Sequence, residues 1–467
     1  MVGAGLAACN ALTGVGDLST GEVGGSSSGA SGSSGTSGGG DGGRPPFDAT
    51  LPTGGGTLDT AFGTNGVVLS GLLDVVTSVA LHTDGTIAVA GASSGQLAVV
   101  QLTASGMIDT SFGNAGRVIA GALTTSRADA VLVDPSDRVV AAGSEFVSAQ
   151  DGSPVSHGLL VRIAGGKLDT SFGFGVKRTF AVDGEAVTAI VNSPLGGYFA
   201  AGRAPNPFST TVGALWSITA NGTSSDPTTP RTDISFASIL PSEIAALAAV
   251  SGGLSLVAAG TVTSAVPGGN RATEFAVARL VASGFDPAFN GDGKAIIDVG
   301  PSSDAAFAVA GFANGASAVG GEVLGGSGST LGHRPQVGIV RVDASGAVDA
   351  AWAIAGKAVT TFAAPGDITP NVGDHLRGLA VDAQGRVIAV GFVEDAKLKN
   401  SRRAVILRLS AQGGTNDLSF GTFGLVTSFF DAKSSDSVAT AIVLQSDGKL
   451  VVVGTAAGQL AVARVKP

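Results

Sequence analysis

Ile108-Asp109-Thr110-Ser111-Phe112-Gly113 returns almost unchanged as Leu168-Asp169-Thr170-Ser171-Phe172-Gly173. Working outward, an Asp with a large aromatic three residues on marks seven spaced copies: Asp59/Phe62, Asp109/Phe112, Asp169/Phe172, Asp233/Phe236, Asp286/Phe289, Asp349/Trp352 and Asp417/Phe420. Successive copies stand 50 to 68 residues apart. A period of that size is one supersecondary unit rather than one domain, so the repeat decides the architecture.

Within a copy the aromatic leads into a short extended segment such as Gly66-Val67-Val68-Leu69. An apolar strand follows (Val76 to Leu81), then a tight turn: Asp84-Gly85, Ser136-Asp137, Gly196-Gly197, Gly252-Gly253, Asn314-Gly315, Gln384-Gly385 or Asp447-Gly448. Gly and Asn there supply the positive φ of two-residue hairpins. A second strand runs to a glycine in every copy: Gly91, Gly143, Gly202, Gly260, Gly320, Gly391 and Gly454. A third strand (Phe275 to Leu280, for example) turns back into the next Asp-x-x-aromatic. No helical apolar stripe interrupts these units, which are rich in Val and Ile and bounded by turn residues. The expected fold is all-β: a seven-bladed β-propeller of four-stranded antiparallel blades. The first copy lacks a preceding third strand and the last lacks a following Asp-x-x-aromatic. Residues 58–70 should therefore complete the blade begun by 436–467, closing the ring with strands from both termini and removing a sheet edge.

The Leu-Asp-x-Ser-Phe-Gly turn, the strand into Asp447-Gly448-Lys449-Leu450 and the Ala461-Val462-Ala463-Arg464 strand resemble the delta-60 repeat family of bacterial β-propellers. The resemblance covers about 410 residues and implies the architecture and an extracytoplasmic setting, without a catalytic motif to carry over. Residues 1–9 form a remnant signal in which Leu6-Ala7-Ala8-Cys9 resembles a lipobox, with Cys9 as the lipidation site. Only Val2 to Gly5 precede that box, with no Lys or Arg, shorter than a full secretory signal. Residues 10–56, almost wholly Gly and Ser over 24–43, read as a flexible tether to a propeller spanning 57–467. Lipidated Cys, tether and domain is the order of a bacterial envelope lipoprotein, on the outer membrane or the cell surface. The membrane is then met through the lipid alone.

A net charge of −9, with only 13% charged residues, disfavours nucleic acid as a partner. Cys9 is the one Cys, so neither a disulfide framework nor a Cys-based zinc site is open. His82, His157, His333 and His375 lack metal-ligand spacing. The expectation is no metal, no cofactor and a monomer. The repeated Asp accepts turn N–H groups, and the aromatic wedges neighbouring blades together. Both are read as structural at Asp59, Phe62, Asp109, Phe112, Asp169, Phe172, Asp417 and Phe420. An Arg ends the third strand in five copies (Arg162, Arg279, Arg341, Arg408, Arg464), with Gln101 and Ser217 in the others, and suits a partner role to the Asp.

Function is expected where the units differ. Loops after the repeated glycine are short in the first and last copies and long at roughly 144–158, 203–213, 261–274, 322–337 and 392–404. All leave one face of the scaffold, and variable loops on a rigid frame are where binding concentrates. His157, His333, Lys397, Lys399, Arg402 and Arg403 are the ligand-face candidates; the cations among them could receive an anionic glycan or phosphate. The reading is a binding or scaffolding module for a protein or glycan ligand. The alternative is a carbohydrate hydrolase or lyase whose carboxylates (Glu145, Asp151 and Glu322 among them) meet near the channel.

Overall fold

Short Val-, Ala- and Ile-rich runs, each ended by Gly, Asp or Ser, fold as strands because their branched side chains fill a pleated surface. The computed structural model describes residues 55–120, 125–149, 152–173, 177–179, 182–206, 210–223, 231–236, 241–250, 255–265, 271–325, 334–362, 373–395, 401–427, 429–431 and 436–467. The strands form seven antiparallel sheets. Blade 1 is Val75–Leu81, Ile87–Ser93, Gln96–Leu102 and Arg117–Ile119, from the channel outward. Blades 2 to 6 repeat this order within 126–179, 186–234, 242–297, 304–360 and 374–427. Blades 2 and 4 add a two-residue strand, Lys167–Leu168 and Gly284–Phe285.

Blade 7 closes the ring. Ser437–Leu444, Leu450–Ala456 and Gln459–Val465 are joined by Val67–Ser70, with Val67 opposite Ala463 and Ser70 opposite Leu460. The chain is cinched there by backbone bonds from Gly56 N to Lys466 O (2.9 Å) and Lys466 N to Thr57 O (2.8 Å). The core lies between blades. Ala80, Ala88 and Ala90 of blade 1 meet Val131, Val139 and Ala141 of blade 2, and small side chains near the axis let sheets approach closely.

The same irregularity interrupts all seven inner strand pairs: a bulge in the first strand, as between Val76 and Ser78. The residue before the bulge faces a glycine on the second strand, and a Cβ on that glycine would overlap the backbone carbonyl one residue earlier. Thus Gly91 abuts Val75 O, Gly143 abuts Arg127 O and Gly454 abuts Val438 O. In blade 5 the glycine in this position is Gly321, opposite Ala306, not the neighbouring Gly320 that sequence spacing suggests. Two adjacent glycines hid the register.

Two further expectations are corrected. The hairpin turns are three-residue loops, not two. His82 N donates to Thr86 O (2.8 Å) and Gly85 N to His82 O (3.1 Å), so Thr83-Asp84-Gly85 make a turn ending at positive φ. Blade 3 has the same geometry one residue earlier than expected, from Ser193 to Gly197; Gly252-Gly253 lie outside the described residues. The long loops are largely extended β-ribbon. Second and third strands stay paired out to Ser148/Pro154, Pro205/Thr211, Ala265/Arg271, Leu324/Pro335 and Asp395/Ser401. In blades 1 and 7 they end at Ser93/Gln96 and Ala456/Gln459. Strand alternation puts these ribbons on one face of the ring, the ribbon face, and the first hairpins with the Asp-x-x-aromatic turns on the other, the turn face.

Candidate functional site

The turn face is built from the repeat itself. Asp169 Oδ1 accepts from Ser171 N (2.9 Å) and Ser171 Oγ (2.6 Å), while Oδ2 accepts from Arg162 Nε (2.7 Å). Arg162 then reaches the Ala220 carbonyl of blade 3 and lies 4.7 Å from the centre of the Phe172 ring. Phe172 packs where the next blade carries Gly222. The same staple joins Arg464 to Asp59, Ala104 O and Phe62, and Arg279 to Asp286, Ala344 O and Phe289. Arg408 likewise takes Asp417 (2.8 Å) and Phe420 (4.3 Å). Turn bonds from Ser111, Ser171 and Ser419 hold Asp109, Asp169 and Asp417 below the usual carboxylate range against opposing burial, helped by Gln101 at Asp109 and by Arg162 and Arg408 at the other two. These carboxylates act first as turn acceptors, and at Asp169 and Asp417 as ion-pair partners.

The ribbon face departs from the repeat. The bulge residue is Thr77, Thr188 or Thr440 in blades 1, 3 and 7, and each hydroxyl donates to a strand carbonyl. Blade 6 has Arg377 there and blade 2 has Asp129. Arg377 donates to Glu322 Oε1 of blade 5 (2.6 Å), and that oxygen also takes His375 Nδ1 (2.8 Å). The other ring nitrogen of His375 is buried without a hydrogen bond, 3.4 Å from Glu394 Oε1. Phe392 stacks on the imidazole at 4.5 Å, and Arg377 lies over Phe307 and Phe392 at 5.4 and 5.1 Å. Burial opposes charge on Glu322, but His375 and Arg377 outweigh it and hold the carboxyl below its ordinary value. Burial pulls Arg377 down, with Glu322 acting against it.

The chain Glu394–His375–Glu322–Arg377 therefore crosses from blade 6 to blade 5 with one open imidazole nitrogen. Because the carboxylate can only accept, Nδ1 carries a proton, while Nε2 makes no hydrogen bond and lies near the Glu394 carboxylate. The cluster is chemically competent to bind polar groups of either sign, or to accept a proton. Glu322 stays ionised and cannot serve as a general acid.

Beside it, Arg402 makes a two-pronged pair with Asp436 of blade 7 (2.7 and 2.8 Å), so its charge is committed to an inter-blade contact. Arg403, at the base of the same ribbon, pairs across to Val393. His157, on the blade 2 ribbon opposite Glu145, contacts Asp183 (2.8 Å). Near it burial raises Glu185, countered by Arg231. Cys9, Asp151, His333, Lys397 and Lys399 lie outside the described residues. Among the described residues no three His, Cys, Asp or Glu are grouped to hold a metal ion, and no helix is long and apolar enough to cross a membrane. Sequence reasoning picked out His375 and Glu322 separately but missed their pairing with Arg377. The available signal was a charged residue at a bulge position that holds Thr in three other blades.

Fold and site together define a seven-bladed β-propeller closed by both termini, with a charged cluster on its ribbon face. A family model described as "Domain of unknown function (DUF5122) beta-propeller" matches residues 82–112 and 445–467. No curated protein matches the chain. Among solved structures the chain is similar to a streptogramin B lyase (8% identity, 86% of this chain and 97% of that one, TM-score 0.46). It is also similar to a polysaccharide lyase PL25, an ulvan lyase (10%, 89% and 94%, TM-score 0.47). Drosophila Semaphorin 2a gives 11%, 88% and 76%, with a TM-score of 0.48. Likeness at this level carries no activity across.

Proposed function

We propose that this protein is an extracytoplasmic, lipid-anchored binding module of the delta-60 repeat kind, receiving a protein or glycan ligand on its ribbon face. The observation that carries the reading is the Glu322–His375–Arg377 cluster, set between blades 5 and 6 beneath ribbons whose lengths differ from blade to blade. A scaffold needs no charge at the bulge, where three blades use Thr and two use Ala245 and Phe307. A buried arginine, a glutamate and a histidine with an open nitrogen add desolvation cost without obvious gain in stability. Such groups are retained where they meet something else. The anchor would be Cys9, with residues 10–56 as tether.

The test is a glycan and polysaccharide array probed with the full chain and with Glu322→Gln and His375→Ala. Binding that both variants weaken about tenfold or more supports the site, since one charge-assisted bond is worth roughly that much. Binding that neither variant changes removes it. Fatty-acid labelling in cells tests Cys9 separately, and unlabelled protein retires the anchor.

A second reading, a carbohydrate hydrolase or lyase, rests on the imidazole oriented by Glu322 with its other nitrogen open, the arrangement of a general base. Product formation from an array-positive polysaccharide, lost in His375→Ala while binding persists, would favour it.

A further inference from the structure

Six of the seven repeat aspartates have a cation within ion-pair distance: Arg464 and Lys449 at Asp59, Arg162 at Asp169, Arg231 at Asp233, Arg279 at Asp286, Arg341 at Asp349 and Arg408 at Asp417. Asp109 of blade 1 is the exception among the described residues. The position that carries Arg in five blades is Gln101, which donates to Asp109 Oδ2 (3.0 Å) and stops there. The hairpin cation found in blades 2, 6 and 7 (Arg138, Arg386, Lys449) is Thr86 in blade 1. Two positive charges are thus absent from one turn-face position.

Their absence leaves a cavity of about 330 Å³ between blades 1 and 2, within the size range of small-ligand sites. Its lining includes Asp84, Asp109, Asp137, His82, Gln101 and Gly165. Gly165, three residues after Arg162, takes the place of Ala104, Ala220 and Ala344, whose carbonyls receive an arginine from the preceding blade. The repeat therefore specifies the missing occupant: a planar guanidinium between an aspartate and that carbonyl.

His82 supplies the independent indication. Its side chain is 7% exposed; Nδ1 meets Asp137 Oδ1 at 2.8 Å, and Nε2 is buried without a hydrogen-bond partner. With Nδ1–H given to a carboxylate, the tautomer that leaves Nε2 bare makes that nitrogen an acceptor. An orphaned buried acceptor is costly and awaits a donor. Three carboxylates and an acceptor nitrogen favour a cation rich in N–H groups over an anion or a bare apolar ligand.

We propose that the cavity between blades 1 and 2 binds a guanidinium group, presented by a free arginine-like molecule or by an arginine side chain of a polypeptide. Calorimetry on the full chain uses agmatine as the free probe, a short Arg-containing peptide with blocked ends as the polypeptide probe, and citrulline, whose neutral urea group keeps the shape, as the control. Saturable agmatine binding with citrulline at least about tenfold weaker is expected, the scale of one charge-assisted bond. Tighter binding of the peptide than of agmatine assigns the polypeptide source, and the reverse order assigns the small molecule. Gln101→Arg, which restores the repeat, should abolish binding of both. Asp109→Asn, which keeps the size of the side chain, should weaken it about tenfold and serves if Gln101→Arg does not fold. No saturable binding of agmatine or peptide, equal binding of citrulline, or undiminished affinity in the variants that fold overturns the proposal.

Discussion

The adjacent glycines of blade 5 allow a sharp test of the bulge. Neither Gly320 nor Gly321 has a positive φ, so the usual entropy argument predicts that alanine at either stabilises by roughly 0.5–1 kcal/mol. Their surroundings predict otherwise. A Cβ on Gly320 meets Leu379 Cδ1 at 2.7 Å and Leu376 Cδ1 at 3.1 Å, both ends of flexible side chains. The equivalent residue in blade 1 is already Ala90. A Cβ on Gly321 overlaps the Ala305 carbonyl, which is backbone locked in the inner strand pair and cannot rotate away. Overpacking costs about 1–3 kcal/mol where side chains can adjust, and occasionally more. Gly321→Ala should therefore lose about 3 kcal/mol, and Gly320→Ala should stay within about 1 kcal/mol of the parent. With an unfolding entropy near 2.1 cal/mol/K per residue over a ~400-residue domain, 1 kcal/mol moves Tm by about 1 °C. The expected gap is then about 3 °C by differential scanning calorimetry, with fluorescence of the buried Trp216 and Trp352 as a second probe. Equal melting of the two variants, or a lower Tm for Gly320→Ala, refutes the assignment of Gly321 to the bulge.

Asp304 is buried, has one carboxyl oxygen without a partner, and is pushed up to about 6 by burial, with Asp298 and Glu274 adding and the Val299 and Gly300 N–H groups opposing. A raised folded value means that its contribution is complete below the unfolded pKa near 3.8 and lost as pH rises through about 6. Asp304→Asn should therefore stabilise at pH 7.5, by at most about 3 kcal/mol for a two-unit shift, and the difference should vanish near pH 4; a variant effect independent of pH defeats this. Arg162→Gln, which copies blade 1 into blade 2, removes the Asp169 pair, the Ala220 contact and the Phe172 stacking, and should cost about 2–4 kcal/mol in chemical denaturation; a loss below about 1 kcal/mol would show that the staple contributes little. Deleting 58–70 removes the closing strand of blade 7 and should lower Tm far more than deleting 10–50; equal melting temperatures would defeat closure.

The ring, the blade number and the shared closing blade were legible because each is written many times or at both ends. Seven Asp-x-x-aromatic turns cannot be placed on another common architecture, and the two incomplete end copies are complementary. The bulge was not legible, since Gly320-Gly321 permits two registers and only the carbonyl contact distinguishes them. The ribbons were not either: Val147/Val155 and Val323/Gln336 pair in strands that continue past the repeat, but the sequence there reads as irregular connection. The site was hidden for a different reason. His375 and Glu322 are separated by 53 residues and sit on different blades, and local spacing carries no information about such a meeting.

A repeat protein also contains its own controls. The commonest residue at each position, Thr in three blades at the bulge and Arg in five at the staple, shows what suffices for the scaffold, so a copy that departs has been released from that need or given another. At the bulge a Thr hydroxyl bonding across to Ala128 O or Ile244 O is sufficient for assembly. Arg377 in the same position is no better a fastener, because it must be desolvated and then neutralised by Glu322. On the turn face the departure runs the other way: a good fastener, arginine, is replaced by Gln101, which leaves a cavity and an orphaned His82 nitrogen. One departure adds charge that the fold does not require, and the other withholds charge that the fold elsewhere uses. Neither pattern is expected of drift on a neutral surface, where exposed substitutions change stability by about 0.5 kcal/mol or less. Both positions are partly buried, both alter the balance of ionised groups between neighbouring blades, and they lie on opposite faces. Each departure can be reversed by one substitution that copies a residue other blades use, Arg377→Thr on the ribbon face and Gln101→Arg on the turn face, so the two proposed sites can be removed one at a time.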